Sequence, residues 1–314
     1  DVERSRGLGD VYKRQLLHLC GYDVTMDDLK NFRQLGSKTP GHPEYRHTPG
    51  IDATSGPLGQ GIAQAAGMAM AEQSLAHMYK DGDKIFNHYT YCLCGDGCLE
   101  EGISQEAISF AGLQKLNKLI LMYDCNDVTL DGPLSNSSVE NTVGRFQSAG
   151  WNVIKVEDGN SVEDIDKAIT IAKQSQEKPT MIMVHTVIGY GSAKQGTHKV
   201  HGSPLGIEDG EHAKKVYGYN YGPFEVPEEV YYTFRESFVK RGQEAYANFA
   251  KVWKDYKDEN YDEALNIEST VDNDVSTLVY KDIPSYSEEF ADSTRNCSGA
   301  VSYTHLTLPT NSLV

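Results

Sequence analysis

The stretch from Tyr89 to Gly132 constrains the fold more than any other part of the chain. Tyr89 to Cys94 alternates large and small residues like a buried strand, and Gly95-Asp96-Gly97 then breaks it with a turn suited to close approach of backbone and ligand. Glu100 to Leu116 carries Ile103, Ala107, Phe110, Ala111 and Leu113 near helical spacing, and Lys118 to Tyr123 reads as a second buried strand. A strand, helix, strand unit of this length favours a parallel pair joined by a crossover. Asp96 and Asn126 then stand side by side at the carboxyl edge of a sheet, where open α/β sheets bind ligands.

A carboxylate, an amide oxygen and a main-chain carbonyl such as that of Val128 form a hard oxygen set, suited to Mg²⁺ or Ca²⁺ that also holds phosphates. The N-terminus of the helix expected near Glu100 favours the same anion. Taken alone, Gly95-Asp96-Gly97 is equally an ordinary turn and Asn126 an ordinary loop residue; the spacing that pairs them favours the site.

The alternation continues beyond Asn126, with a helix near Val139 to Ala149, a strand Trp151 to Val156, a helix Val162 to Gln174 and a strand Thr180 to Thr186. This predicts an α/β fold, a doubly wound, mostly parallel sheet with helices on both faces. Upstream, Leu16 to Leu35 contains a helix end at Gly21 and a second helix starting after Asp23 or Thr25, with His18 and Cys20 as core residues.

Two glycine-rich loops are too long for simple turns. Gly36 to Gly61 holds His42, framed by Gly41 and Pro43, and then Ser55-Gly56-Pro57-Leu58-Gly59-Gln60-Gly61 ahead of a helix rich in small residues. That loop suits backbone and Leu58 laid against a flat ring, although a glycine-rich helix start has the same composition. Gly189 to Gly206 follows a strand and offers His198 and His201 to donate to phosphate or shuttle protons.

Phe224 to Asn266 is acidic, aromatic and helix-compatible, while 267–291 reads as a linker. A net charge of −16 without a basic stripe argues against binding nucleic acid through its phosphates. No run of about 18 apolar residues or charged-then-apolar leader is visible, so neither a membrane span nor a signal peptide is expected. Six cysteines without a paired zinc spacing read as reduced thiols of a cytoplasmic protein.

The two ends differ in character from what lies between. Asp10 to Gln15 and Val301 to Leu306 are encodable by one DNA string read in opposite orientations, which resembles a sequencing-library adapter. Residues 1–15 and 301–314 are therefore expected to be non-native, with the native N-terminus missing and the fold lying between them.

The motifs KTPGHPE, SGPLGQG, GDGCLEEGISQEA, YDCNDVTLDG, IGYGS and HGSPLG, in this order, resemble the N-terminal diphosphate-binding domain of transketolases over Leu16 to Ala300. The resemblance implies thiamine diphosphate and a divalent metal, Mg²⁺ or Ca²⁺, with Asp96, Asn126 and the Val128 carbonyl as metal ligands. It places Gly97, Asn126 and His201 near the diphosphate, Gly56, Pro57 and Leu58 on the cofactor ring, and His42 at the substrate's first hydroxyl. Glu101 and Glu106 match a homodimer interface, although two glutamates in a helix's first turns are also ordinary dipole partners.

Such enzymes transfer a two-carbon glycolaldehyde unit between sugar phosphates. The family's cofactor-activating glutamate lies in a following pyrimidine-binding domain, and 292–300 resembles the first residues of that domain, cut short. A GHGS-like segment with further histidines is expected where Asp1 to Gln15 stands. The chain alone is accordingly expected to be inactive. The rival readings are the N-terminal subunit of a split transketolase-like enzyme, a non-catalytic cofactor-binding homologue, and another thiamine enzyme such as dihydroxyacetone synthase or deoxyxylulose phosphate synthase.

Overall fold

Four runs of apolar residues set the centre of the molecule. In the computed structural model, which describes residues 8–271, 285–287 and 289–297, these runs are β1 (Thr90–Gly95), β2 (Leu119–Cys125), β3 (Asn152–Val156) and β4 (Thr180–His185). They form one sheet in the order β1-β2-β4-β3 with every pair parallel. A parallel sheet needs cover on both faces, and β2 shows it in its alternation. Leu119, Leu121, Tyr123 and Cys125 join one core cluster, while Ile120 and Met122 join another.

The helices follow in chain order as α1 (Leu8–Leu19), α2 (Met26–Lys30), α3 (Gln60–Met78), α4 (Asp96–Leu99), α5 (Gly102–Leu113), α6 (Thr142–Ser148) and α7 (Val162–Ala172). Then come α8 (Ile207–Tyr217), α9 (Glu228–Phe234), α10 (Arg241–Glu259) and α11 (Tyr261–Val271). Ile62, Ala65, Ala66 and Ala69 of α3, Ile108 and Ala111 of α5 and Phe146 of α6 fill the first cluster, whereas Ala168 and Ala172 of α7 fill the second. The small residues of α3 let α3 and α5 run close together. Buried Glu72 of α3 pairs with Lys118 at 2.5 Å, tying that helix to the entry of β2. Such a pair holds position more than it adds stability.

The strands, their parallel pairing and helices on both faces agree with expectation. Thr25 caps α2 reciprocally with Asp28, and Gly21 takes the left-handed conformation that ends α1. Other boundaries shift. The helix expected from Glu100 to Leu116 is α5, Gly102–Leu113, and the short α4 stands where a turn was expected at Gly95-Asp96-Gly97. His18 and Cys20 are half-buried, His18 bonding the Val24 carbonyl at 2.7 Å and the Tyr231 hydroxyl at 2.9 Å.

α1 runs through Gln15 without a break, and α11 continues to Val271, inside the segment expected as a linker from 267. Residues 1–7, 272–284, 288 and 298–314, with the other expectations made for them, lie outside the described residues. The backbone divides into a unit to Ala250 and a second from Lys251. Within the second, Tyr256 donates to Glu263 and Lys257 pairs with Glu268.

Candidate cofactor and metal site

The parallel register of β1 and β2 sets Gly95 opposite Asp124, so Asp96 leaves β1 level with Cys125, the last residue of β2. Asp96 starts the helical turn α4 and is only 4% exposed. Its carboxylate accepts from the Tyr123 hydroxyl at 2.5 Å and from the Asn126 N–H at 3.3 Å. Asp96 and Asn126 thus meet as the spacing predicts. Burial pushes the Asp96 carboxyl above its ordinary range; the donors Tyr123 and Asn126 pull it back, and the charges of Asp127 and Asp124 push it up again.

Asp127 takes a left-handed conformation at φ 59°, which folds the chain back over the strand end. The Asp127 carboxylate, the Cys125 sulfur and the Asp96 carboxylate consequently come within 4.8 Å of one another. The Asn126 amide oxygen accepts from the Val128 N–H at 3.1 Å, and its nitrogen reaches Asp124 at 3.4 Å. Asp124 also accepts from the Thr186 hydroxyl at the exit of β4.

The buried carboxylate of Asp96 and the exposed one of Asp127, close together with no cation among the groups that act on Asp96 or Asp124, fit a hard divalent ion, with the Cys125 sulfur as a softer neighbour. Asp127 and Cys125 were not expected in this cluster. Their places beside Asn126 are visible in the sequence, but the positive φ that brings them in is not.

The first glycine-rich loop lies against this edge. A β-carbon at Gly97 would stand 3.5 Å from the Leu58 side chain, and one at Gly56 would stand 3.3 Å from the His42 ring. The contacts therefore link His42 to Gly56 and Leu58 to Gly97, next to Asp96. Pro57 and Leu58 are exposed. Arg14 of α1 lies 4.2 Å over the Phe32 ring and donates to the carbonyls of Pro40 and Gly41 at 3.1 and 3.3 Å. It thereby holds the backbone just before His42.

His201 follows a short 3-10 turn (His198–Val200) in the second glycine-rich loop. Its Nδ1 is buried without a hydrogen-bond partner, and burial lowers the ring's proton affinity so that it stands neutral at pH 7. An orphaned buried nitrogen fits a ligand atom such as a phosphate oxygen. His198 is exposed. Glu101 stands at the start of α5 without a side-chain cap bond, and a β-carbon at Gly59 would stand 2.8 Å from its own; Glu106 lies on an open groove with Gln105, Ser109, Phe110 and Leu113. The helix expected near Glu100 to face the anion begins instead at Gly102 and packs against Gly59, so the backbone start beside Asp96 is that of α4.

Parallel strands ending at the carboxylates of Asp96 and Asp127, with the first glycine-rich loop against them, make this an α/β domain with its candidate ligand site at the carboxyl edge of the sheet. Residues 4–276 match the family model described as "Transketolase, thiamine diphosphate binding domain", and the chain belongs to that family. It is 49% identical to the probable transketolase of Streptococcus pneumoniae over 298 residues, which covers 94% of this chain and 45% of that protein.

Among solved structures, transketolase from Leishmania mexicana superposes with a TM-score of 0.88 at 40% identity, covering 97% of this chain and 46% of that one. Transketolase of Pichia stipitis in complex with sedoheptulose 7-phosphate superposes at 0.89 and 36% identity, again over 97% of this chain and 46% of that one. The chain therefore spans less than half the length of these relatives.

Proposed function

We propose that the chain is the diphosphate-binding part of a transketolase that moves a two-carbon glycolaldehyde unit from a ketose phosphate, such as xylulose 5-phosphate, to an aldose phosphate. The observation that carries this reading is the buried Asp96 carboxylate, with Asp127 and Asn126 close by, set beside the loop that carries His42, Gly56 and Leu58. Pichia stipitis structures with xylulose 5-phosphate and sedoheptulose 7-phosphate support the substrate class.

In this reading Asp96, the Asn126 amide oxygen and the Val128 carbonyl hold Mg²⁺, with Ca²⁺ as the alternative. Gly97, Asn126 and His201 meet the diphosphate, and Gly56, Pro57 and Leu58 lie against the ring. Bound thiamine diphosphate supplies the electron sink for breaking and making the carbon–carbon bond. His201, neutral and unpartnered at Nδ1, offers that atom to a phosphate oxygen or a proton in transit. His42 bonds the substrate's first hydroxyl and fixes the sugar end.

Tyr123 and the Asn126 N–H keep Asp96 in place for the ion. Glu101 and Glu106 belong to a homodimer interface of the complete parent. No helix among the described residues is long and apolar enough to cross a membrane. A cytoplasmic place of work is part of the same proposal.

Calorimetric titration of the purified chain with thiamine diphosphate and Mg²⁺ tests the site. Cofactor at about a hundred times its Kd is expected to stabilise by about 2.7 kcal/mol, raising Tm by several degrees. Asp96→Ala should remove the effect, and unchanged binding in that variant overturns the reading. The chain alone is proposed to be inactive, so turnover in a coupled ketose-to-aldose assay contradicts that part.

A further inference from the structure

We propose that Asp124 is a positioning residue that sets the orientation of the Asn126 amide, and thereby the strength of the cation site. This rests on the reading of Asn126 as a cation ligand given above. The orientation of an amide is fixed only by its neighbours. The Asn126 nitrogen points at Asp124, whose carboxylate only accepts, while its oxygen points at the Val128 N–H, which only donates. Both neighbours demand the same orientation, and it leaves the second lone pair of the amide oxygen available on the side away from Asp124.

Asp124 is itself anchored. Its other oxygen accepts from the Thr186 hydroxyl, and the Thr186 N–H bonds the Cys125 carbonyl at 3.1 Å, so the exits of β2 and β4 are clamped around it. Its carboxylate stands outside the group formed by Asp96, Cys125 and Asp127, which makes it a support for a ligand and not a ligand. Removing such outer partners of metal ligands weakens metal affinity by about 10- to 100-fold.

Mn²⁺ titration followed by electron paramagnetic resonance, with thiamine diphosphate present and the 314-residue chain as parent, separates the possibilities. Asp124→Ala is expected to bind Mn²⁺ about 10- to 100-fold more weakly. Asp124→Asn keeps an acceptor for the Asn126 nitrogen and should stay within about threefold of the parent, a rescue that a purely charge-based role would not give. Thr186→Val, which loosens the anchor without changing charge, should weaken binding several-fold, and it carries the test should Asp124→Ala fail to fold.

Parent-like affinity in Asp124→Ala or in Thr186→Val overturns the proposal, as does an Asp124→Asn chain as weak as Asp124→Ala. Parent-like affinity in Asn126→Ala instead overturns the ligand role of Asn126 on which the proposal stands.

Discussion

Burial acts on Asp96 and His201 with opposite effect on their proton affinities, because in both it disfavours the charged form. For His201 the folded pKa lies below its ordinary value, so as pH falls the unfolded chain takes up the proton first. The stability tied to a neutral ring is present above the unfolded value of about 6.5 and is lost as pH falls from there through the folded pKa. Urea midpoints measured between pH 7.5 and 5.5 are expected to fall less steeply for His201→Gln than for the parent; equal slopes would remove the assignment. The raised pKa of Asp96 works the other way, since holding that charge inside opposes folding until a cation arrives. At this scale the sequence offered Asp96, Asn126 and His201 as candidates, but not the bonds that Tyr123 and Asp124 make to the first two, which depend on where the strand ends point.

Between elements, α5 and the turn after α6 meet backbone to backbone. A β-carbon at Gly112 would stand 1.7 Å from the Ala149 carbonyl oxygen, whereas one at Gly210 on α8 meets nothing within 4 Å. Gly112→Ala is therefore expected to destabilise by about 3 kcal/mol through overpacking, and Gly210→Ala to stabilise by about 0.5–1 kcal/mol through helix propensity, both read from chemical denaturation. The strands were legible because runs such as Leu119 to Tyr123 are local signals closed by polar turns. The start of α5 at Gly102, two residues later than expected, was not, because the close approach of Gly59 to Glu101, Ser104 and Ile103 comes from a loop distant in sequence. A π-helical turn, Arg235–Lys240, joins α9 to α10.

For the molecule as a whole, the groove at Glu106 bears on assembly. Leu113 is 77% exposed and Phe110 41%, on the same helix as Glu106. If the proposed homodimer uses this face, a complete parent carrying Leu113→Asp should run as a monomer in light scattering while the unaltered parent runs as a dimer; two dimers would place the interface elsewhere. The strand order β1-β2-β4-β3 has a further consequence, for synthesis. β3 is made before β4 yet, among the described residues, pairs only with β4, so Asn152–Val156 leaves the ribosome ahead of its strand neighbour. At about 5–20 residues per second it waits a few seconds for Thr180–His185 to emerge. During that interval β2 and β3 both offer an open edge, and a nascent chain stalled before Thr180 would be the form most exposed to chaperones and to aggregation.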